Sequence, residues 1–296
     1  MAKQPRIIVG QVAAITGAAR GIGKATAKAL AREGVKVAIG DLDAELARSA
    51  AQEVGGGAIG LGLDVTDRPS FQRFIDEAEQ RLGPIDVLVS NAGIMPLGQF
   101  VDEDDLTARR MVDINVHGVM FGMKIVLPGF HARGRGHLVN IASSAGKGGF
   151  PGGATYCGTK HFVVGLSEAV RGELRGTAIE VSCVMPGLVN TELASGVGDA
   201  RAVKKVQPED VADAIVDALK HPRFDVYVPR SIGPITQVLN VLPRRGREVL
   251  VRALKVDRVL AQADPAARRG YELRAALSEP GLEPGSEPKQ LSETSP

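Results

Sequence analysis

Short apolar runs alternate with amphipathic stretches along roughly the first 230 residues of the chain. The apolar runs contain few polar positions, as expected for strands buried on both faces of a parallel sheet. Between them, apolar residues recur every three or four positions, which predicts helices. Strands are predicted at 11–17, 35–40, 58–65, 85–90, 136–143, 179–185 and 224–229, and helices at 21–32, 43–54, 69–82, 104–130, 155–175 and from Pro208 onward. The pattern indicates an α/β fold, a doubly wound parallel sheet of about seven strands with helices on both faces.

The alternation ends near residue 230, and a different pattern follows. We therefore assign 1–230 to the α/β domain, 231–275 to an amphipathic helical extension, and 276–296 to a disordered tail rich in Pro, Ser and Glu. Val249, Ala253, Val256 and Leu260 recur at helical spacing in the extension. Residues 244–258 carry six basic and two acidic side chains, a charge of about +4. Such a helix could lie on an anionic membrane surface, pack on its own domain, or meet a second subunit.

Composition narrows the classes of function. A net charge of +2 and an aromatic content of 4% do not favour nucleic-acid binding. The two cysteines, Cys157 and Cys183, are too few for a disulfide framework, and no paired Cys/His cluster suggests a metal site. The short apolar run that leads into the first strand lacks a signal-peptide h-region and cleavage site, so we expect no leader. No uninterrupted apolar run is long enough to span a membrane. We expect a cytoplasmic protein.

A glycine-rich turn joins the first strand to the first helix. The segment TGAARGIG, residues 16–23, places Gly17, Gly21 and Gly23 where the strand ends and the helix begins. Glycines allow backbone amides to approach a pyrophosphate, and a helix N-terminus adds unpaired N–H groups and a positive dipole. Because the turn is the first strand-to-helix connection of an alternating chain, it predicts a dinucleotide site.

Two residues bear on which dinucleotide binds. Asp41 follows the second strand, where a carboxylate can bind both ribose hydroxyls of an adenosine and repel a 2′-phosphate by a few kcal/mol. Arg20 favours the opposite choice, because a basic residue in the glycine turn could pair with that phosphate. The same arginine could instead be solvated or form a salt bridge. We predict a preference for NAD, with NADP possible.

These motifs, taken in order, resemble the short-chain dehydrogenase/reductase family over residues 9 to about 230. The turn is similar to the family's TGxxxGIG loop, and SNAG at 90–93 departs from its NNAG by having Ser90 in place of an asparagine. The resemblance implies a Rossmann-type fold. It assigns cofactor contacts to Thr16, Gly17, Arg20, Gly21, Ile22, Gly23, Asp41, Asp64, Val65, Asn91, Ala92, Gly93, Tyr156, Lys160, Pro186, Gly187, Val189 and Thr191.

The family's active-site tetrad matches Asn115, Ser143, Tyr156 and Lys160. A spacing of four places Tyr156 and Lys160 on one face of a helix. A lysine charge about 4.5 Å from a phenol contributes roughly 3.7 kcal/mol at an effective dielectric near 20. Desolvation opposes this effect, and the positive charge of an oxidised nicotinamide supports it. Together these terms are expected to lower the pKa of the tyrosine enough for it to act as a general acid or base near neutral pH. The resemblance further implies that Ser143 binds the reacting oxygen and that Asn115 positions a water beside Lys160.

The expected function is hydride transfer between a nicotinamide cofactor and an alcohol or ketone. Modest polarity in 188–206, where the family carries a lid, and the apolar extension favour a hydrophobic secondary alcohol or ketone as substrate. The alternative is a non-catalytic NAD(P)-binding regulatory protein, against which the complete tetrad argues. The resemblance also implies a homodimer or homotetramer.

Overall fold

The computed structural model describes residues 4–198, 205–253 and 259–276. Its centre is a parallel sheet in the order β3-β2-β1-β4-β5-β6-β7. All six pairings between neighbouring strands are parallel. The strands are β1 (Val12–Thr16), β2 (Lys36–Asp41), β3 (Ile59–Gly62), β4 (Val87–Ser90), β5 (Gly136–Ile141), β6 (Ile179–Pro186) and β7 (Asp225–Val228). This sheet confirms the predicted doubly wound, Rossmann-type fold.

Helices cover both faces of the sheet, and further helices follow β7. They are α1 (Gly21–Arg32), α2 (Ala44–Val54), α3 (Arg68–Leu82), α4 (Asp105–Val112), α5 (Gly118–Arg133), α6 (Ala154–Glu173), α7 (Pro208–Lys220), α8 (Ile232–Val241), α9 (Arg244–Ala253) and α10 (Pro265–Ala276). Within β1, Ala13 and Ile15 pack with α1, α2 and α7, whereas Val12 and Ala14 pack with α3, α5 and α6. Because each strand is apolar on both faces, its sequence shows no alternation of polar and apolar residues.

The sheet reverses its direction of winding between β1 and β4. The chain builds β1, β2 and β3 outward in one direction and then returns to place β4 on the other side of β1. The loops after β1 and β4 therefore diverge at the carboxyl ends of the strands. In open α/β sheets this divergence opens the crevice in which ligands bind.

The region predicted as one helix at 104–130 is divided in the structure. A π-helical turn, Asp113–His117, separates α4 from α5. The N–H of Gly118 bonds to the carbonyl of Asp113, five residues earlier. Asn115 lies in this turn and is fully buried. Such turns are rare and are often found at functional sites.

Among the described residues, the helical run Asp105–Arg133 is long and apolar enough to cross a membrane, with 44% of its most apolar window buried. In this fold α5 contacts β4, β5 and α3. A helix enclosed in this way is apolar around much of its circumference. We interpret the run as a core helix.

Within the described residues after 230, the extension contains the helices α8, α9 and α10. Val249 is 66% exposed on α9, whereas Leu260, which the spacing placed on the same apolar face, is 9% exposed. These two residues therefore do not form one continuous face. Val256 lies outside the described residues, and so does the predicted tail apart from residue 276, which ends α10.

Candidate active site

The carboxyl ends of the central strands border one large cavity of about 1770 Å³. Most of the residues assigned to cofactor binding or catalysis from the sequence line it. These are Gly17, Arg20, Gly21, Ile22, Asp41, Asp64, Val65, Asn91, Ala92, Gly93, Ser143, Tyr156, Lys160, Pro186, Gly187, Val189 and Thr191. Thr16, Gly23 and Asn115 do not line the cavity and instead support its walls.

The glycine turn approaches the loop after β4 closely. Gly17 has φ +61°, and a β-carbon there would lie 2.7 Å from Cα of Ala92. Gly21, with φ +51°, begins α1. A side chain at Gly17 would therefore collide with the neighbouring loop and require an unfavourable backbone conformation. The free N–H groups at the start of α1 can bind an anion in the cavity.

Thr16 and Asn91 hold the two loops together. The backbone N–H groups of Asn91 and Ala92 both donate to Oγ1 of Thr16 at 3.0 Å. The side-chain amide of Asn91 donates to the carbonyls of Thr16 and Gly17 at 2.9 Å. A β-carbon on Gly23 would lie 2.7 Å from Nδ2 of Asn91. The side chains of Thr16 and Asn91, together with Gly23, therefore fix the geometry of the glycine turn.

Asp41 lies at the end of β2 with its carboxylate directed to the glycine turn. Its Oδ2 accepts a hydrogen bond from the N–H of Ala19 at 3.0 Å. Burial raises the pKa of Asp41, while hydrogen bonds from backbone N–H groups oppose that rise. Arg20 forms a salt bridge with Glu192 at 3.4 Å, and both side chains are exposed. The structure thus shows the salt-bridged alternative for Arg20.

Ser143, Tyr156 and Lys160 meet at one end of the cavity. Tyr156 is 7% exposed and Lys160 is 5% exposed, and Ser143 lies close enough to the phenol to lower its pKa. Nζ of Lys160 lies 5.7 Å from the centre of the Tyr156 ring and donates to the carbonyl of Ile141 at 2.9 Å. The spacing of four in the sequence therefore does place both groups on the cavity side of α6.

The pKa values of the tyrosine and the lysine differ from the sequence-based expectation. Burial raises the pKa of Tyr156 to about 12, and the hydrogen bond from Ser143 opposes this only in part. Burial also lowers the pKa of Lys160 to about 8. The expected net lowering of the phenol's pKa is not found in the protein alone, because desolvation disfavours the charged form and outweighs the opposing contributions.

Asn115 acts through the backbone around it. Its Oδ1 accepts from the N–H of Ile94 at 2.9 Å, and its Nδ2 donates to the carbonyl of Ile94 and to Oγ1 of Thr159. A β-carbon on Gly93 would lie 3.1 Å from Oδ1 of Asn115 and 3.6 Å from Nζ of Lys160. The side chain therefore joins the loop after β4 to α6 beside the lysine, and its role as a water-positioning group stays a prediction.

Several residues of the extension line the cavity, a position that the sequence analysis did not predict for them. Val259, Leu260, Tyr271 and Leu273 line the same cavity as Tyr156. Leu260 packs in one apolar cluster with Tyr156, Met95 and Val197. These residues follow the last strand by thirty positions or more, and neither spacing nor a motif connects them to the tetrad. Only the path of the folded chain reveals their position.

A doubly wound sheet with a glycine turn, an acidic residue after β2 and a Ser-Tyr-Lys cluster defines the class of nucleotide-dependent oxidoreductases. The family model described as short chain dehydrogenase matches residues 11–202. The chain therefore belongs to the short-chain dehydrogenase/reductase family.

Individual relatives agree with this assignment. The chain is 41% identical over 189 residues to a sorbitol dehydrogenase of Cereibacter sphaeroides, covering 64% of this chain and 74% of that protein. It is 37% identical over 225 residues to a glycine betaine reductase of Emericella nidulans, covering 72% of this chain but 18% of that protein. A crystal structure of a short-chain dehydrogenase/reductase from Burkholderia phymatum in complex with NAD superposes with a TM-score of 0.73 at 26% identity, covering 79% of this chain and 94% of that one.

Proposed function

We propose that the protein is an NAD-dependent dehydrogenase/reductase that interconverts a hydrophobic secondary alcohol and its ketone. The observation that carries the proposal is the meeting of Ser143, Tyr156 and Lys160 in the cavity that also contains the glycine turn and Asp41. A structural relative with the same fold was crystallised with NAD. The apolar side chains near Tyr156 favour a hydrophobic substrate; they include Ile94, Met95, Phe150, Leu188, Leu193 and Leu260.

The residues of the cavity fit a nicotinamide dinucleotide. The glycine turn and the start of α1 would hold the pyrophosphate, Asp41 the adenosine ribose, and Lys160 the other ribose. When bound, the cofactor supplies the hydride acceptor or donor and, in its oxidised form, a positive charge. Because burial raises the pKa of Tyr156 to about 12, the phenol needs such an added positive charge to ionise near neutral pH.

The chain's own groups perform the proton transfer and hold the substrate oxygen. The Tyr156 hydroxyl takes the proton of the alcohol in oxidation, or gives a proton to the carbonyl oxygen in reduction. The Ser143 hydroxyl donates a hydrogen bond to the same oxygen as charge develops on it. With a pKa of about 8, Lys160 is protonated at pH 7, and its positive charge adds to that of the oxidised cofactor in stabilising the phenolate form.

A panel of secondary alcohols and ketones, followed at the nicotinamide absorbance, tests the proposal. We expect turnover with apolar members of the panel and higher kcat/KM with NAD than with NADP. If NADH binds but no compound reacts with either cofactor, the protein is a non-catalytic nucleotide-binding protein, and the proposal is wrong.

Substitution of Asp41 by serine is expected to reverse much of the cofactor preference. Removing the carboxylate removes its repulsion of a 2′-phosphate, which amounts to a few kcal/mol, and loses a ribose contact. We expect the ratio of kcat/KM for NAD to that for NADP to fall about a hundredfold. Asp213→Ser, an exposed change on α7, serves as the control and leaves the ratio unchanged. A higher kcat/KM with NADP in the unmodified protein would contradict the assigned role of Asp41.

We further propose that the extension contacts an anionic membrane surface from the cytoplasmic side. Val241 and Val249 are 83% and 66% exposed on α8 and α9, next to the exposed Arg245 and Arg252. Each basic residue near an anionic surface contributes about 1 kcal/mol. We expect sedimentation with phosphatidylserine vesicles, reduced at least tenfold by combining Arg245→Glu and Arg252→Glu. Equal sedimentation of the unmodified protein and the double variant, or equal sedimentation with neutral vesicles, would contradict the proposed membrane contact.

A homodimer or homotetramer is part of the same proposal. Phe162 on α6 is 40% exposed, and α4 to α6 form the surface that the family resemblance assigns to subunit contacts. Analytical ultracentrifugation at micromolar concentration tests this, and a monomer there would contradict it.

A further inference from the structure

A buried arginine fastens α10 to two loops of the active site. Arg268 is 2% exposed. Its Nη1 donates to the carbonyls of Leu193 at 3.0 Å and Ser195 at 2.9 Å, and its Nη2 donates to that of Met95 at 2.7 Å. Its Nε donates to Glu272 on the same helix at 2.7 Å. Since all three nitrogens have partners, the buried charge is compensated and fixes α10 in place.

The same helix and the residue before it make further contacts with these loops. The N–H of Asp264 donates to the carbonyl of Gly196 at 2.8 Å, and the N–H of Leu97 donates to Glu272 at 3.3 Å. Gly196 has φ +69°, and a β-carbon there would lie 2.6 Å from the carbonyl oxygen of Asp264. The loops after β4 and β6 are thus built to receive this helix, which lies beyond the residues that match the family model.

This anchoring directs Tyr271 into the cavity. The Arg268 guanidinium lies 5.1 Å from the centre of the Tyr271 ring. The N–H of Met95 donates to the Tyr271 hydroxyl oxygen at 2.7 Å, so the oxygen is held as an acceptor. A phenol can accept and donate at once. Among the described residues no group accepts the hydroxyl proton, which is therefore available to a ligand in the cavity.

The phenol of Tyr271 is suited to donate rather than to ionise. Burial raises the pKa of Tyr271 well above its usual range, and the hydrogen bond from Met95 and the charge of Arg268 oppose this only in part. Met95, whose N–H donates to the Tyr271 hydroxyl, packs in one apolar cluster with Tyr156, and both tyrosines line the same cavity. At neutral pH the cavity therefore presents a second, protonated phenol beside the tyrosine of the tetrad.

We propose that Tyr271 determines substrate specificity by donating a hydrogen bond to a second oxygen of the substrate, near the carbon whose oxygen contacts Tyr156 and Ser143. The inference rests on the proposed function and deepens it. The substrate class is an apolar secondary alcohol or ketone with a further neutral oxygen close to the reacting carbon, such as a vicinal diol or hydroxyketone. Arg268 is the positioning residue that holds the donor.

The test compares a medium-chain vicinal diol with the secondary alcohol of the same carbon skeleton. In Tyr271→Phe we expect kcat/KM for the diol to fall about tenfold, as for the loss of one hydrogen bond between neutral groups, and that for the mono-alcohol to stay the same. Tyr227→Phe removes the hydroxyl of a tyrosine that does not line the cavity and controls for general effects. An equal fall for both substrates, or no fall for either, would overturn the inference.

A binding experiment separates this inference from the proposed function. If the unmodified protein oxidises neither compound, the proposed function fails, and calorimetric titration of the diol into the NADH-loaded protein still reports the hydrogen bond. Weaker binding by Tyr271→Phe than by the unmodified protein supports the inference, and equal binding contradicts it.

The role of Arg268 is tested by its effect on the same discrimination. Arg268→Met should reduce the preference for the diol over the mono-alcohol about tenfold, and Arg268→Lys should restore part of it. An unchanged preference in a folded Arg268→Met protein would show that Arg268 does not position Tyr271. If that variant does not fold, Arg268→Lys and Tyr271→Phe decide the question, since an unchanged preference in both would overturn the inference.

Discussion

Tyr156→Phe is expected to lower kcat by about a thousandfold or more while the dissociation constant for NADH changes by less than about threefold. The substitution removes only the hydroxyl that gives or takes the proton, and general acid–base catalysis contributes roughly a hundredfold to ten-thousandfold to a rate. The phenyl ring keeps the packing of the 7% exposed tyrosine against Met95, Leu260 and Val197. The measurements are steady-state turnover and quenching of NADH fluorescence.

A control variant and the NADH binding measurement distinguish a loss of catalysis from a general effect of the substitution on the fold. Tyr227→Phe, on β7 and outside the cavity, is the matched control and should retain full activity. Retained turnover at a hundredth or more of the unmodified rate would contradict the assignment of Tyr156 as the acid or base. A parallel loss of NADH binding would show that the hydroxyl supports the cofactor site instead.

Lys160→Met is expected to lower kcat about a hundredfold and, at the same time, to stabilise the fold. The lysine is 5% exposed, and burial lowers its pKa to about 8 from an ordinary value near 10.5. At pH 7 this lowered pKa reduces the free energy of unfolding of the unmodified protein by roughly 3 kcal/mol. The variant loses the hydrogen bond to the Ile141 carbonyl, worth about 1 kcal/mol. The net gain is about 2 kcal/mol, or a few degrees in the midpoint of thermal unfolding.

The pH dependence gives this prediction a distinct signature. Between about pH 8 and pH 10.5 the unfolded chain holds the Lys160 proton and the folded protein has released it. The contribution of Lys160 therefore makes the unmodified protein more stable as pH rises through that window, and Lys160→Met should lack this rise. Lys124→Met, an exposed change on α5, is the control and keeps it. A variant that is both less stable and fully active would contradict the argument.

Local signals in the sequence were sufficient for the α/β domain. The predicted and observed strands agree because strands buried on both faces must be apolar throughout, as in β1 and β6. The helices could be predicted because the residues that begin a helix are recognisable from the sequence alone. Asp43 and Asp67 accept hydrogen bonds from the first turns of α2 and α3, and Pro208 begins α7. The division of 104–130 by a π-helical turn was not predicted, because it depends on the burial of Asn115 between the loop after β4 and α6.

By itself, the sequence determined the sheet, the glycine turn and the set of residues that surrounds Tyr156, because each depends on spacing within a strand, a turn or a helix. Two properties depend on the tertiary structure and cannot be predicted from residue spacing: the pKa of Tyr156 and the contacts of α10. Burial reversed the expected shift of the Tyr156 pKa, since desolvation depends on every atom around a group. The return of α10 brought Arg268 and Tyr271 to loops more than seventy residues away in the chain, a contact that only the folded path creates.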